Sequence, residues 1–172
     1  MTTPSQTIGP FWHGLADPAL ADLTRLGAED GQERIVLTGT VTDGDGAPVT
    51  DACIELWQAS PPASAVFSGF GRAATDAQGG YRFTTRRPAP LPGRGNATQA
   101  PHLALVVFAR GLLAQVVTRA YFAGEALNAA DPVLNAVPTD RRGTLIANPC
   151  GPGCWRFDIR LQGAAETVFL DV

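Results

Sequence analysis

Short runs of alternating apolar and polar residues, closed off by turn chemistry, constrain this chain most. Arg34–Thr42 reads Arg-Ile-Val-Leu-Thr-Gly-Thr-Val-Thr, rich in β-branched residues, and Asp43-Gly44-Asp45-Gly46 follows as a turn. The pattern returns over residues 52–58, and again over 81–85 after the turn Asp76-Ala77-Gln78-Gly79-Gly80. Further strands are expected over 102–109, 115–122, 155–161 and 166–170. Strands of this length cannot bury an apolar face alone, and with turn signals between them they predict an all-β antiparallel sandwich. There is no internal repeat and no dividing linker. The expected organisation is an N-terminal arm and short helix over 1–33, part of the same domain as the sandwich over 34–172.

The arm runs Thr3-Pro4-Ser5-Gln6-Thr7-Ile8-Gly9-Pro10-Phe11-Trp12, and its prolines and glycine forbid a helix there. Asp17-Pro18 reads as an N-cap with a first-turn proline, opening a short helix through about Leu26. Residues 87–101, rich in Pro and Gly, are expected as loop, and one or two short helices over 124–135.

The charge balance narrows the partners. A net charge of −3 with 17% charged residues argues against nucleic acid or an anionic membrane. All 13 basic residues are arginine, the mark of a GC-rich codon bias. The opening residues carry neither a basic region nor an apolar run, and no stretch is long enough for a membrane span, so a cytoplasmic location is expected. Cys53, Cys150 and Cys154 are too few for a disulfide scaffold, and Cys150 and Cys154 lack the partners a zinc site needs, so they read as incidental.

Candidate chemistry is sparse. His102 opens an apolar strand, and the position two further on, on the same face, is Ala104. Its two readings are a surviving ligand or substrate contact, and a buried histidine hydrogen-bonded at a strand start. With His13 the other histidine, no Ser/His/Asp set is evident. Arg110 follows the same strand at a turn completed by Gly111, where an arginine can reach a carboxylate at an interface. Arg141-Arg142 reads as a solvated pair, and Gly69-Phe70-Gly71 lacks the strand–helix context of a phosphate loop.

Several blocks, in order, carry a resemblance: the arm from Thr3 to Phe11; Asp51 to Ala59, with Ile54-Glu55-Leu56-Trp57-Gln58-Ala59 at its core; Phe70-Gly71-Arg72-Ala73-Ala74-Thr75-Asp76 with Tyr81-Arg82-Phe83; Ala100-Pro101-His102 running on to Phe108-Ala109-Arg110-Gly111 and Thr118-Arg119-Ala120-Tyr121-Phe122; and Arg156-Phe157-Asp158-Ile159-Arg160-Leu161-Gln162-Gly163, then Glu166-Thr167-Val168-Phe169-Leu170-Asp171. Together they resemble the intradiol ring-cleaving dioxygenases, and within that family a chain that partners the catalytic one.

The resemblance implies that a catalytic β chain holds a non-haem ferric ion through two tyrosines and two histidines. Carried across by position, that set fails here. The expected tyrosine of the Pro-rich loop falls on Leu91, and the other would lie in residues 59–68, which hold no tyrosine. The second histidine is Ala104, and the arginine three before the first is Gln99. The chain would then be a non-catalytic α subunit binding no metal, with Fe(III) in the partner β subunit and αβ protomers joined in a larger oligomer. Thr7, Pro10 and Arg110 would line the β chain's cavity, with Arg110 facing a substrate that carries a benzoate carboxylate. Phe11 stands where relatives carry tyrosine. Two competing readings are a stand-alone β-sandwich binding or carrier module, and a self-sufficient enzyme using other residues.

Overall fold

The computed structural model describes residues 7–9, 12, 16–27 and 32–171. Eleven strands carry it among these residues: β1 Arg34–Thr42, β2 Cys53–Trp57, β3 Phe70–Ala74, β4 Gly80–Arg86, β5 Leu91–Pro92, β6 Thr98–Gln99, β7 His102–Phe108, β8 Val116–Phe122, β9 Ile146–Gly151, β10 Cys154–Arg156 and β11 Ile159–Arg160. Antiparallel neighbours β3, β2, β7 and β8 form one layer, with β9 beside β8. The other layer centres on β1, which pairs β4 antiparallel along its whole middle. β9 joins the layers, since Ile146 and Ala147 pair with β8 while its far end pairs with β10.

The β-sandwich expected from alternation is therefore present. Strand β1 shows why: Ile35, Leu37 and Val41 are fully buried and their neighbours point outward. They meet Phe83 and Tyr81 of β4 and Ile54, Leu56, Leu103, Leu105 and Val107 of the facing layer in one cluster. Each such aliphatic side chain contributes roughly 1.5–3 kcal/mol by leaving water. Three pairings are parallel, β1 with β10, β1 with β11, and β8 with β9. Alternation within a strand cannot reveal its neighbour's direction.

The strand expected over 155–161 is broken. β10 pairs with Val36 to Thr38 and β11 with Val41 and Thr42. Between them the chain presses on Gly39, where a Cβ would stand 1.8 Å from the carbonyl oxygen of Phe157. Asp158 Oδ1 there accepts bonds from the amide and hydroxyl of Thr40, both at 2.9 Å. Residues 166–170 form no ladder, because Thr167 N donates to Arg160 while Leu170 N donates to Val117.

The helix capped by Asp17 is one 3-10 turn, Pro18–Ala21, with Asp17 Oδ1 accepting from Ala19 N at 2.9 Å. It ends early because Leu23 N donates to Thr84 O and buries Leu23 in the core. That turn lies against Gly71, where a Cβ would meet Leu23 Cδ1 at 2.4 Å, so the Phe-Gly pair belongs to a strand covered by the turn. Short helices do occupy Ala126–Ala129 and α1, Pro132–Ala136. The loop over 87–101 contains the small β5–β6 hairpin.

Two expectations about side chains are corrected. Cys150 and Cys154 are joined by a disulfide, because the Gly151-Pro152-Gly153 turn of the β9–β10 hairpin brings their Cα atoms to 5.2 Å. Arg141 and Arg142 are not a solvated pair: Arg141 Nη2 donates to Glu166 O at 2.8 Å and Arg142 Nε to Val137 O at 2.8 Å, tying loop carbonyls. No helix among the described residues is long and apolar enough to cross a membrane.

Candidate functional site

His102 opens β7 on the face opposite the core, with Ala104, Val106 and Phe108 following at strand spacing. Its buried ring places Nδ1 2.8 Å from Ala100 O, and because a carbonyl can only accept, Nδ1 carries the proton. Burial lowers its pKa from 6.5, so the imidazole is neutral. Across the β7–β8 ladder, His102 faces Tyr121 and Ala104 faces Arg119. Arg119 Nη1 donates to Gln99 Oε1 at 2.7 Å and to Tyr121 Oη at 3.3 Å. Tyr121 donates in turn to Asp131 Oδ1 at 3.0 Å, and burial pushes its phenol up to about 12. Asp131, with no exposed surface, also accepts from Ala100 N at 2.8 Å and caps α1 through Val133 N and Leu134 N.

These residues do not fit a ferric ion. A guanidinium stands opposite the position where a second imidazole would point, and a nearby cation opposes a metal charge. Tyr121 keeps its proton and donates it to Asp131, and Leu91 and Gln99 face each other across the β5–β6 pair. The histidine at the strand start is bonded at Nδ1 to Ala100 O and packs its ring against Tyr121 of the buried polar network.

The second candidate region lies at the other end of β7. Arg110 leaves the strand and places Nε 2.7 Å from Asp51 Oδ2, with the arginine side chain 70% exposed and the aspartate 21%. The arm crosses here. Thr7 Oγ1 donates to Ala109 O at 3.4 Å, and the indole of Trp12 donates to Asp51 O at 3.0 Å. Thr7, Ile8 and Trp12 roof a groove of about 370 Å³ over Cys53, Glu55, Arg72 and Phe108. Its floor holds the cross-strand ion pair of Arg72 with Glu55, which lie directly opposite each other on β3 and β2. Arg110 and Asp51 instead border a neighbouring groove of about 390 Å³ with Pro48, Leu112 and Gln162. Thr7 and Arg110 thus meet around Ala109 but line adjacent grooves. Pro10, Phe11 and His13 lie outside the described residues.

Sequence reasoning anticipated a carboxylate for Arg110 at an interface, whereas the carboxylate it meets belongs to this chain. Asp51 and Trp12 were missed as members of the region. An aspartate at a strand start gives no sign that an arginine 59 positions later will reach it.

Comparison with known proteins gives a consistent result. A family model described as dioxygenase matches residues 8–163. The chain is 41% identical over 193 aligned residues to the protocatechuate 3,4-dioxygenase alpha chain of Burkholderia cepacia, covering 99% of this chain and 97% of that one. It is 34% identical to the beta chain from the same organism over 158 residues, 83% of this chain and 65% of that one. Among solved structures, the dioxygenase domain of a carbohydrate-binding fusion from Streptomyces sp. SirexAA-E aligns with a TM-score of 0.65 at 25% identity, covering 95% of this chain and all of that one. Catechol 1,2-dioxygenase from Acinetobacter sp. ADP1 shares the fold, with a TM-score of 0.66 over 88% of this chain and 60% of that one. From the sandwich, the ordered blocks and these matches across nearly its whole length, the chain belongs to the intradiol dioxygenase family.

Proposed function

We propose that this chain is the non-catalytic α subunit of a cytoplasmic protocatechuate 3,4-dioxygenase. Its β partner carries the Fe(III), and the αβ protomers assemble further. The assembled enzyme would open the ring of protocatechuate between its two hydroxyl-bearing carbons, inserting both atoms of O₂ to give 3-carboxy-cis,cis-muconate. One observation carries the assignment of roles. The face where the family's ligands would converge holds Arg119, Ala104 and a proton-donating Tyr121, while the chain matches alpha chains end to end. The partner's ferric ion would supply the Lewis acidity that activates the bound catecholate towards O₂.

This chain's own residues would then act as wall and support. Thr7, Pro10 and Arg110 border the partner's cavity in this reading. Arg110, mostly exposed at the strand end, presents a positive charge to the substrate's carboxylate. The half-buried outer face of Val106, Phe108, Phe70 and the exposed Trp57 favours a chain that works in company over a solitary carrier module.

The test is steady-state kinetics on the co-expressed complex carrying Arg110→Ala, with iron content and assembly verified. A charge pair this exposed and already facing Asp51 is worth about 1 kcal/mol, so KM for protocatechuate should rise about fivefold with kcat little changed. Catechol, lacking the carboxylate, should change by less than twofold. Equal losses on both substrates would show that Arg110 supports the interface and does not sense substrate charge.

A further inference from the structure

We infer that Asp51 is a positioning residue for substrate recognition, fixing where the charge of Arg110 stands in the wall of the partner's cavity. The inference rests on the proposed place of Arg110 in that wall and adds what holds it there. A surface arginine on a turn samples many rotamers, and a charge spread over many positions discriminates poorly between a carboxylated and an uncharged substrate. Here Nε is drawn to Asp51 Oδ2 at 2.7 Å, while the side chain stays 70% exposed and open to a second anion.

Asp51 is itself held on both sides. Its carbonyl accepts the Trp12 indole N–H at 3.0 Å, and the next amide, Ala52 N, donates to the buried Thr75 hydroxyl at 2.9 Å. The arm touches the arginine's other neighbour too, through Thr7 on Ala109 O. The arm therefore contacts the carboxylate's residue through Trp12 and the residue preceding the arginine through Thr7. Charge placement and arm docking are coupled through Asp51.

The experiment is a double-mutant cycle of Asp51→Asn and Arg110→Ala in the co-expressed αβ complex, read as KM and kcat on protocatechuate and on catechol. Asp51→Asn should raise KM for protocatechuate about threefold, leave kcat within twofold and leave catechol unaffected. In the Arg110→Ala background it should change neither substrate by more than about 1.5-fold, and Asp51→Glu should recover most of the loss. An unchanged or lowered KM in Asp51→Asn, while Arg110→Ala still weakens protocatechuate more than catechol, overturns the positioning role alone. Equal losses on protocatechuate and catechol in Arg110→Ala itself overturn the underlying reading. Should Asp51→Asn fail to assemble, Trp12→Phe keeps an aromatic ring and removes the indole N–H. A carboxylate-selective rise in KM then supports the inference, and an equal change on both substrates overturns it.

Discussion

Gly39→Ala should be among the most damaging single substitutions in this protein, although it adds one methyl group. An ideal Cβ at Gly39 would lie 1.8 Å from Phe157 O, 2.7 Å from its carbonyl carbon and 3.0 Å from Tyr81 Cε1. Ordinary contact needs more than 3 Å, so the Phe157 backbone must retreat by over 1 Å. That backbone is pinned: Phe157 N donates to Thr38 O at 2.8 Å, the buried Tyr81 hydroxyl donates to Phe157 O at 2.5 Å, and Asp158 accepts two bonds from Thr40. Leaving the Tyr81 hydroxyl unsatisfied costs about 1–3 kcal/mol, and weakening bonds to a partly exposed carboxylate about 1 kcal/mol more, before any repacking. With repacking added to that sum of about 2–4 kcal/mol, a total near 3–4 kcal/mol lies at or above the top of the usual range for a point change. With a urea m-value near 2 kcal/mol/M, the unfolding midpoint should fall by about 1.5–2 M, read by tryptophan fluorescence. Gly143→Ala is the control, since nothing lies within 4 Å of its Cβ and its φ is unexceptional, so the midpoint should hold within about 0.3 M. A Gly39→Ala midpoint as close to the parent as that of Gly143→Ala would refute the seam between β10 and β11.

Further outcomes are expected. Replacing Cys150 and Cys154 together with serine opens a five-residue ring, whose loop-closure entropy is worth about 2 kcal/mol; activity of the assembled complex should stay within about threefold, and a larger loss would give the hairpin a role in the site. His102 contributes a pH dependence: burial lowers its pKa below the 6.5 of the unfolded chain, so its contribution is intact above 6.5 and declines as the pH falls below that value. In urea titrations at pH 7.5 and 5, His102→Gln should lose less stability on acidification than the parent, and an equal loss would refute a neutral buried imidazole. Expressed alone, the chain should hold no stoichiometric iron by metal analysis, and iron near one atom per chain would overturn the division of labour with the β partner.

Much of the sandwich was legible along the chain. The alternation in Arg34–Thr42 specifies both a strand and its buried side, because successive side chains on extended backbone point oppositely, and β1 occupies those nine residues. The N-cap of Asp17 was equally local. By contrast, β3 and β9 carry small or polar residues with no apolar period, and they are strands because neighbours offer them open edges.

What the sequence by itself offered about the site was residue identity: Leu91, Ala104 and Gln99 occupy the positions where the resemblance leads one to expect tyrosine, histidine and arginine. Tertiary structure decided what fills that face instead, placing Arg119 across from Ala104 and giving the Tyr121 proton to Asp131. It also decided that Arg110 meets Asp51, and that Thr7 and Trp12 fasten the arm beside them. Residue identity can exclude a ligand at a position, since that needs no partner. Whether two charged groups far apart in the chain meet depends on strand order and register, which form only when the layers pack.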